Sequence, residues 1–128
     1  MPGVTYDTGA LIAAERNDRR MWALHVGLLA EEVVPIVPAP VLGEAWRGGP
    51  RQASLARLLA GCDIEEMTAR QARQVGELAG RADVYDIVDV TVVEGAIRRA
   101  NDAVVTSNEA DIRQVAEAGR GRFRIEVV

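Results

Sequence analysis

Short apolar runs alternate with longer amphipathic stretches along the whole chain. Runs rich in β-branched residues predict strands over residues 4–6, 33–37, 62–65, 103–105 and 123–128. The stretches between them predict helices over residues 10–15, 19–32, 40–46, 52–59, 68–80, 86–99 and 108–118. Because strands and helices alternate, we expect a parallel sheet with right-handed crossovers and helices on both faces.

Residues at the ends of these elements support the pattern. Pro40 suits the first turn of a helix, where the N–H that proline lacks is not needed. Thr68 followed by Gln71 has the form of a capping box, and Asp86 or a neighbour begins the next helix. The chain has 128 residues, about half of them apolar, which is enough for one core. We therefore expect residues 1–128 to form a single domain.

The composition excludes several kinds of chemistry. Cys62 is the only cysteine and His25 the only histidine, so one chain holds neither a disulfide nor a Cys/His zinc site. All 15 basic residues are arginines, which excludes a phosphate-binding loop lysine and Schiff-base chemistry. Any metal must therefore have oxygen ligands, which suit hard cations such as Mg²⁺ and Mn²⁺. His25 and Cys62 are most simply packing residues.

Charge and hydropathy restrict the partners. The net charge of -4 gives no overall attraction to nucleic acid, although a basic rim around an acidic centre is compatible with it. No uncharged apolar run reaches the roughly 18 residues of a membrane span, and no signal-peptide pattern opens the chain. We therefore expect a soluble cytoplasmic protein with no membrane partner.

Acidic residues follow the ends of predicted strands. Asp7 ends the first strand, and Glu44 comes shortly after the second. Asp111 follows the fourth strand together with Asn108. The carboxyl ends of parallel strands form the usual ligand site of such sheets, so these side chains are expected to meet at one edge. Acids brought together repel one another unless a cation neutralises them, and a divalent metal supplies that cation.

Each acid also has a structural interpretation. Asp7 can cap the helix that follows it, and Asp86 can do the same further along the chain. Asp89 fits the first turn of its helix, where it favours the helix dipole, and Asp111 can be a solvated helix residue. Glu44 is different, because it lies on an otherwise apolar helix, where burying an unpaired carboxylate is costly.

Segments spread over the chain resemble the sequence motifs of one nuclease family. Residues 6–13 have an aspartate followed by threonine and an apolar helix, and residues 41–45 carry a glutamate after the second strand. Residues 86–96 form an aspartate-containing apolar helix, and residues 104–112 have a strand followed by Thr106, Asn108 and Asp111. In this order and spacing, which covers nearly the whole chain, they resemble the PIN-domain ribonucleases, most closely the VapC toxins of bacterial toxin–antitoxin pairs.

The resemblance implies a fold and a set of functional residues. The fold would be α/β, a PIN-like three-layer sandwich with a central, mostly parallel sheet flanked by helices. Asp7 and Asp89 would be the ligands of Mg²⁺ or Mn²⁺, with Asp86 as the competitor of Asp89. The implied set is Asp7, Glu44, Asp89 and Asp111 as catalytic residues and Thr8, Thr106 and Asn108 as supporting residues. Arg47 and Arg51 could contact phosphate bidentately or be ordinary surface charge.

The same resemblance implies a metal-dependent endoribonuclease that acts as a toxin on tRNA, rRNA or mRNA, forms a homodimer and binds a cognate antitoxin. Asn108 stands where many relatives have aspartate, so the site keeps an oxygen but loses a charge. The alternative is a catalytically weak PIN-like module that mainly binds RNA or a protein partner, and a small-molecule phosphohydrolase is a third possibility. Trp22 and Trp46 are expected in the core or in a dimer interface.

Overall fold

A parallel sheet forms the centre of the molecule, which is a computed structural model describing residues 3–128. Within these residues the sheet has five strands in the order β3-β2-β1-β4-β5, and every neighbouring pair is parallel. The strands are β1 (Val4–Tyr6), β2 (Ile36–Pro38), β3 (Asp63–Glu65), β4 (Ala103–Thr106) and β5 (Ile125–Val127). The first strand therefore lies in the middle of the sheet. Because all the strands are parallel, the segments after β1, β2 and β4 begin at the same edge of the sheet.

Helices connect the strands and cover the sheet. They are α1 (Thr8–Glu15), α2 (Arg19–Ala30), α3 (Ala39–Ala45), α4 (Ala53–Leu59), α5 (Ala69–Ala82), α6 (Ile87–Arg98) and α7 (Glu109–Ala118), with a short 3₁₀ turn at Pro50–Gln52. Helix α1 packs against α2, α3 and α4, whereas α5, α6 and α7 pack against one another. The predicted alternation of strands and helices is confirmed.

The side chains of β1 show that the helices lie on both faces of the sheet. Tyr6 Oη forms a 2.8 Å hydrogen bond with His25 Nδ1 on α2. Thr5 Oγ1, one residue earlier, accepts from Arg99 Nη2 at 2.8 Å, at the end of α6. Successive residues of a strand point to opposite faces, so α2 and α6 lie on different sides. The molecule is thus a three-layer α/β sandwich, as expected.

Some element boundaries differ from the prediction. The second strand was expected from residue 33 but begins at Ile36. Val33 N donates to Leu28 O at 2.9 Å, and Glu32 has a φ of 62°, so these residues close α2 instead. This left-handed turn after the helix is a common way to satisfy its last carbonyl groups. The closing strand, expected from residue 123, begins at Ile125.

The caps of α5 and α6 were predicted with different success. Thr68 Oγ1 accepts from Gln71 N at 3.1 Å, as in a capping box. The Gln71 side chain, however, is turned toward α6, where its Nε2 donates to Glu94 Oε1 at 2.9 Å, and its Oε1 accepts no hydrogen bond from Thr68 N. The prediction of a full box was wrong, because Gln71 is buried against α6. Asp86 caps α6 as predicted, accepting from the backbone N–H of Val88 and of Asp89.

The lone histidine and cysteine both serve packing, as expected. His25 is buried against Tyr6, and this burial lowers the pKa of His25 and favours its neutral form. Cys62 Sγ contacts Leu58 O, and burial raises the pKa of the Cys62 thiol to about 12. None of the helices found among residues 3–128 is long and apolar enough to cross a membrane.

Candidate active site

Asp7 leaves β1 at the carboxyl edge of the sheet, with both carboxylate oxygens hydrogen-bonded. Oδ1 accepts from Thr8 N at 2.8 Å and so caps α1, while Oδ2 accepts from Thr106 Oγ1 at 2.6 Å. The parallel pairing of β1 with β4 sets Tyr6 opposite Val105, which brings the ends of the two strands together. Asp7 is only 3 % exposed. It is therefore a helix cap and also a member of the candidate site.

Asp89 meets Asp7 from the first turn of α6. It is 5 % exposed, and burial raises its pKa to about 7, with a further contribution from the negative charges of Asp7, Asp86 and Asp111. Burial also raises the pKa of Asp7, while hydrogen bonds with Thr106, with the Thr8 N–H and with Asp89 oppose this effect. Each carboxyl group thus raises the cost of ionising its neighbour, and without a cation the negative charges of the pair repel.

Asn108 joins Asp89 to the end of β4. Its side-chain Nδ2 donates to Asp89 Oδ2 at 2.9 Å and to Asp111 Oδ2 at 3.1 Å. Its backbone N–H donates to Thr106 Oγ1 at 2.9 Å, the same hydroxyl that donates to Asp7. One continuous hydrogen-bond network thus connects Asp7, Thr106, Asn108, Asp89 and Asp111. Of these, Asp7, Asn108 and Asp111 had been expected at one edge of the sheet.

Glu44 lies near these acids but does not join the network. Its negative charge contributes to the raised pKa of Asp7, and its helix, α3, begins directly after β2 at the same edge of the sheet. Its side chain is exposed, however. The argument that a buried carboxylate on α3 would require a cation is therefore wrong, because α3 turns this position toward solvent.

The two candidate arginines behave differently. Arg47 Nη1 donates to Trp46 O at 2.7 Å and to Gly43 O at 3.2 Å, so its guanidinium group folds back on the end of α3. Arg51 is exposed, and within residues 3–128 its side chain has no hydrogen-bond or ion-pair partner. Arg51 is therefore the freer of the two for an anionic ligand.

The donor set fits a hard cation that keeps part of its water shell. Within the described residues no three His, Cys, Asp or Glu side chains form a ready-made metal-binding group. Mg²⁺ is commonly held by one or two carboxylates plus water, and Asp7 and Asp89 supply two adjacent carboxylates. Next to Asp7, Thr8 Oγ1 is buried and is a polar atom with no hydrogen-bond partner among residues 3–128. Such an orphaned hydroxyl fits a bound water or ligand beside Asp7.

Two residues that position the site were missed by the sequence analysis. A methyl group on Gly9 would lie 2.7 Å from Ser107 N, so only glycine allows α1 to approach the turn after β4. The glycine directly after Asp7 and Thr8 was the available signal. Gln52, which orders residues 46–52 through its buried side chain, had no such signal, because no local pattern shows that this glutamine is buried or that it reaches Glu15, 37 residues away.

Comparisons with known proteins identify the architecture. No family model and no curated protein matches the chain. The structure of VapBC2 from Rickettsia felis was solved with a bound DNA fragment from the VapBC2 promoter. It contains a chain that matches with a TM-score of 0.73 and 17% identity over 98% of both chains. This chain has the PIN-domain fold. PAE2754 from Pyrobaculum aerophilum matches with a TM-score of 0.64 and 14% identity, over 98% of this chain and 84% of that one.

The PIN fold explains why the acids gather. Its sheet order sets β1 beside β4, and the segments after both strands lie at the same edge. At such low identity the comparisons show the shared fold alone, so the activity rests on the residues of the site.

Proposed function

We propose that the protein is a divalent-metal-dependent endoribonuclease of the VapC type, the toxin of a toxin–antitoxin pair. The observation that carries the proposal is the buried pair Asp7 and Asp89 at the carboxyl edge of a PIN fold. A buried carboxylate pair without a basic partner is unfavourable, and a divalent cation removes the repulsion.

The residues of the site would have different roles around the metal ion. Asp7 and Asp89 would hold Mg²⁺ or Mn²⁺, with Glu44 and Asp111 contributing negative charge nearby. When bound, the ion lowers the pKa of a bound water and stabilises the charge that develops on the phosphoryl group. Thr106 orients Asp7 through its 2.6 Å hydrogen bond. Asn108, Thr106 and Thr8 would act as supporting residues that fix these oxygens and order water.

The partners follow from the same proposal. The Rickettsia felis structure is a VapBC2 complex bound to promoter DNA, which supports a cognate antitoxin as the partner of this chain. The substrate would be RNA, either tRNA, rRNA or mRNA, and the active form a homodimer in the cytoplasm. Arg51, exposed near α3, would contact a substrate phosphate.

The test compares two acids of one helix. Asp89→Asn removes a charge from the buried pair, whereas Asp86→Asn changes an exposed cap and keeps a good capping residue. We expect wild type and Asp86→Asn to cleave RNA with Mn²⁺ and not with a chelator. Asp89→Asn should lose about a hundredfold or more in cleavage rate, since even residues that only support metal ligands contribute about 10- to 100-fold. Equal cleavage by both variants would contradict the assignment of Asp89.

One observation favours a second function, a catalytically weak PIN-like module that mainly binds RNA or a partner. The Asn108 side-chain amide occupies an oxygen of Asp89 and an oxygen of Asp111, which a metal would otherwise use. Absence of cleavage of any RNA pool with Mn²⁺, together with growth inhibition that Asp7→Ala leaves unchanged, would support this module instead. Turnover of nucleotides but not of RNA would indicate a small-molecule phosphohydrolase.

A further inference from the structure

The segment that follows α3 presents an exposed aromatic ring at the end of the helix that carries Glu44. We define the Trp46 loop as residues 46–52. Trp46 is 42 % exposed, which excludes the core position expected for it. It follows Glu44 by two residues, and the charge of Glu44 acts on Asp7. The indole is therefore an exposed aromatic ring at the end of the helix that carries Glu44.

The Trp46 loop is held in one conformation by a buried amide. Gln52 is only 7 % exposed, and its Oε1 accepts from Arg47 N at 2.8 Å and from Gly48 N at 2.9 Å. Its Nε2 donates to Glu15 Oε1 at 2.6 Å and to Ala45 O at 2.8 Å. All the hydrogen-bonding capacity of the amide is used on this loop and its neighbours. Because the backbone of this loop is already ordered, it loses little conformational entropy when a ligand binds.

Two glycines shape the backbone of the same loop. Gly48 has a φ of 78° and Gly49 a φ of 92°, conformations that favour glycine. A Cβ on Gly48 would lie about 4.0 Å from the Trp46 Nε1 atom. The turn at Gly48 therefore passes near the edge of the indole, and 42 % of Trp46 stays exposed.

The charge of the Trp46 loop is opposite to that of the molecule. It contains Arg47 and Arg51 and no acidic residue, while the chain as a whole has a net charge of -4. Arg51 is exposed and has no ionic partner among residues 3–128. An exposed ring and an unpaired guanidinium group within one short loop match a base attached to its phosphate.

We propose that the Trp46 loop is a nucleotide subsite, in which the Trp46 indole stacks on an unpaired base of single-stranded RNA and Arg51 binds an adjacent phosphate. This rests on the proposed function, because the subsite holds the strand whose phosphodiester bond reaches Asp7 and Asp89. A base inside a duplex is already stacked on both faces, so the subsite selects single-stranded regions. Gln52 acts as a positioning residue, since it fixes the loop without an exposed group of its own.

The experiment measures binding without cleavage, in the presence of a chelator. Titration of a short single-stranded RNA is followed by tryptophan fluorescence in Trp22→Phe, in which Trp46 is the only tryptophan. We expect quenching by single-stranded RNA and little by its duplex. By filter binding, Trp46→Ala should weaken the affinity by roughly 5- to 140-fold, whereas Trp46→Phe should retain most of it. The matched control is Val26→Ala, an equally simple truncation of an exposed apolar side chain on α2, which should bind as wild type.

Several outcomes overturn the proposal. They are unchanged RNA affinity of Trp46→Ala, equal quenching by duplex and single strand, and absence of binding to any single-stranded RNA. Loss of dimerisation in Trp46→Ala with unchanged RNA affinity would assign the ring to a subunit interface instead. If single-stranded DNA of the same sequence quenches the fluorescence as strongly as RNA does, the stacking subsite is supported. RNA would then be distinguished from DNA by another part of the protein. Trp46-dependent binding without cleavage by the wild type with Mn²⁺ would leave the subsite intact and contradict only the nuclease function.

Discussion

Thr106 ends β4 with a fully buried hydroxyl group that donates to Asp7 and accepts from the backbone N–H of Asn108. A hydroxyl can do both at once because it has one donor and two acceptor sites. It thereby fixes the carboxylate that follows β1 relative to the residue that begins α7. At the scale of single residues, these two hydrogen bonds limit how far Asp7 and the start of α7 can move apart.

We expect Thr106→Val to destabilise the protein although the shape of the side chain is nearly conserved. The substitution leaves the Asn108 N–H and one oxygen of Asp7 without a partner, which should lower the free energy of unfolding by about 1–3 kcal/mol. Mn²⁺ affinity, measured by titration calorimetry, should fall by about 10- to 100-fold because Asp7 loses its orientation. Thr106→Ser keeps the hydroxyl and is the control. A Val variant as stable as wild type in urea would contradict the importance of this contact.

Helix α1 and the turn between β4 and α7 form the tightest approach between elements near the site. Gly9 lies in the first turn of α1, and a methyl group there would lie 2.7 Å from both Ser107 N and Ser107 Cβ. Backbone atoms cannot move as freely as the end of a long side chain. The position of α1, and with it the cap provided by Asp7, therefore depends on the absence of a side chain at this residue.

At this element scale, we expect Gly9→Ala to lower the free energy of unfolding by about 1–3 kcal/mol, since the added methyl group forces backbone atoms apart. The cleavage rate should fall as well, because Asp7 moves with α1. Gly76→Ala is the matched control: it lies within α5, is exposed and has no atom within 4 Å of the added methyl group. It should raise stability by about 0.5–1 kcal/mol. Urea denaturation of both variants checks the prediction. The prediction fails if the urea midpoints of Gly9→Ala and Gly76→Ala change in the same direction.

Sequence patterns predicted elements better than their ends. The strands and helices follow from periodicity and from the residues at their boundaries, and Asp86 was correctly placed as the cap of α6. The start of β2 was misplaced, because the turn at Glu32 depends on a backbone contact with α2. The side chain of Gln71 was misassigned because its partner, Glu94, is on another helix. Long-range contacts of this kind do not appear in local patterns.

The candidate site could be predicted in its identity and only partly in its geometry. Asp7 and Asn108 were expected at one edge because each follows a predicted strand, and Asp89 was expected from the resemblance of residues 86–96 to a family motif. The structure brings the three into one hydrogen-bond network. The exposure of Glu44 was not predictable. It depends on the direction in which α3 leaves the sheet, and this direction is set by packing against α1 and α6.

At the scale of the whole molecule, the site is a concentration of negative charge in a protein that is already acidic. The chain has 19 acidic and 15 basic residues, and the ion pairs that involve Arg98 and Arg99 are formed with Glu65, Glu94 and Asp102, not with the site. Asp7 and Asp89 have no salt-bridge partner within the part of the chain that is described. The folded state therefore holds uncompensated charge that protons or a divalent ion can neutralise.

This linkage predicts how stability varies with pH in the absence of metal. The pKa of Asp89 is about 7 in the folded protein and about 4 in the unfolded chain, so the folded state binds a proton more tightly. The contribution of Asp89 protonation to the free energy of unfolding is fully present below about pH 4 and is lost as the pH rises through about 7. With a chelator, the urea midpoint of wild type should thus decline over this range more steeply than that of Asp89→Asn. The control, Asp63→Asn, changes an exposed acid on β3 and should follow wild type.

Mn²⁺ should reverse this dependence, because the ion and the proton compete for the same oxygens. The increase in the melting temperature on adding Mn²⁺ should be small near pH 5, where the carboxyl pair holds a proton, and should grow up to about pH 7 to 8 as the proton is lost. In Asp89→Asn the increase should be small at every pH. A metal-induced shift that is independent of pH, or one that Asp89→Asn retains in full, would mean that the ion binds elsewhere. The stability of the entire domain therefore reports on whether this carboxylate pair is the metal site, independently of any cleavage assay.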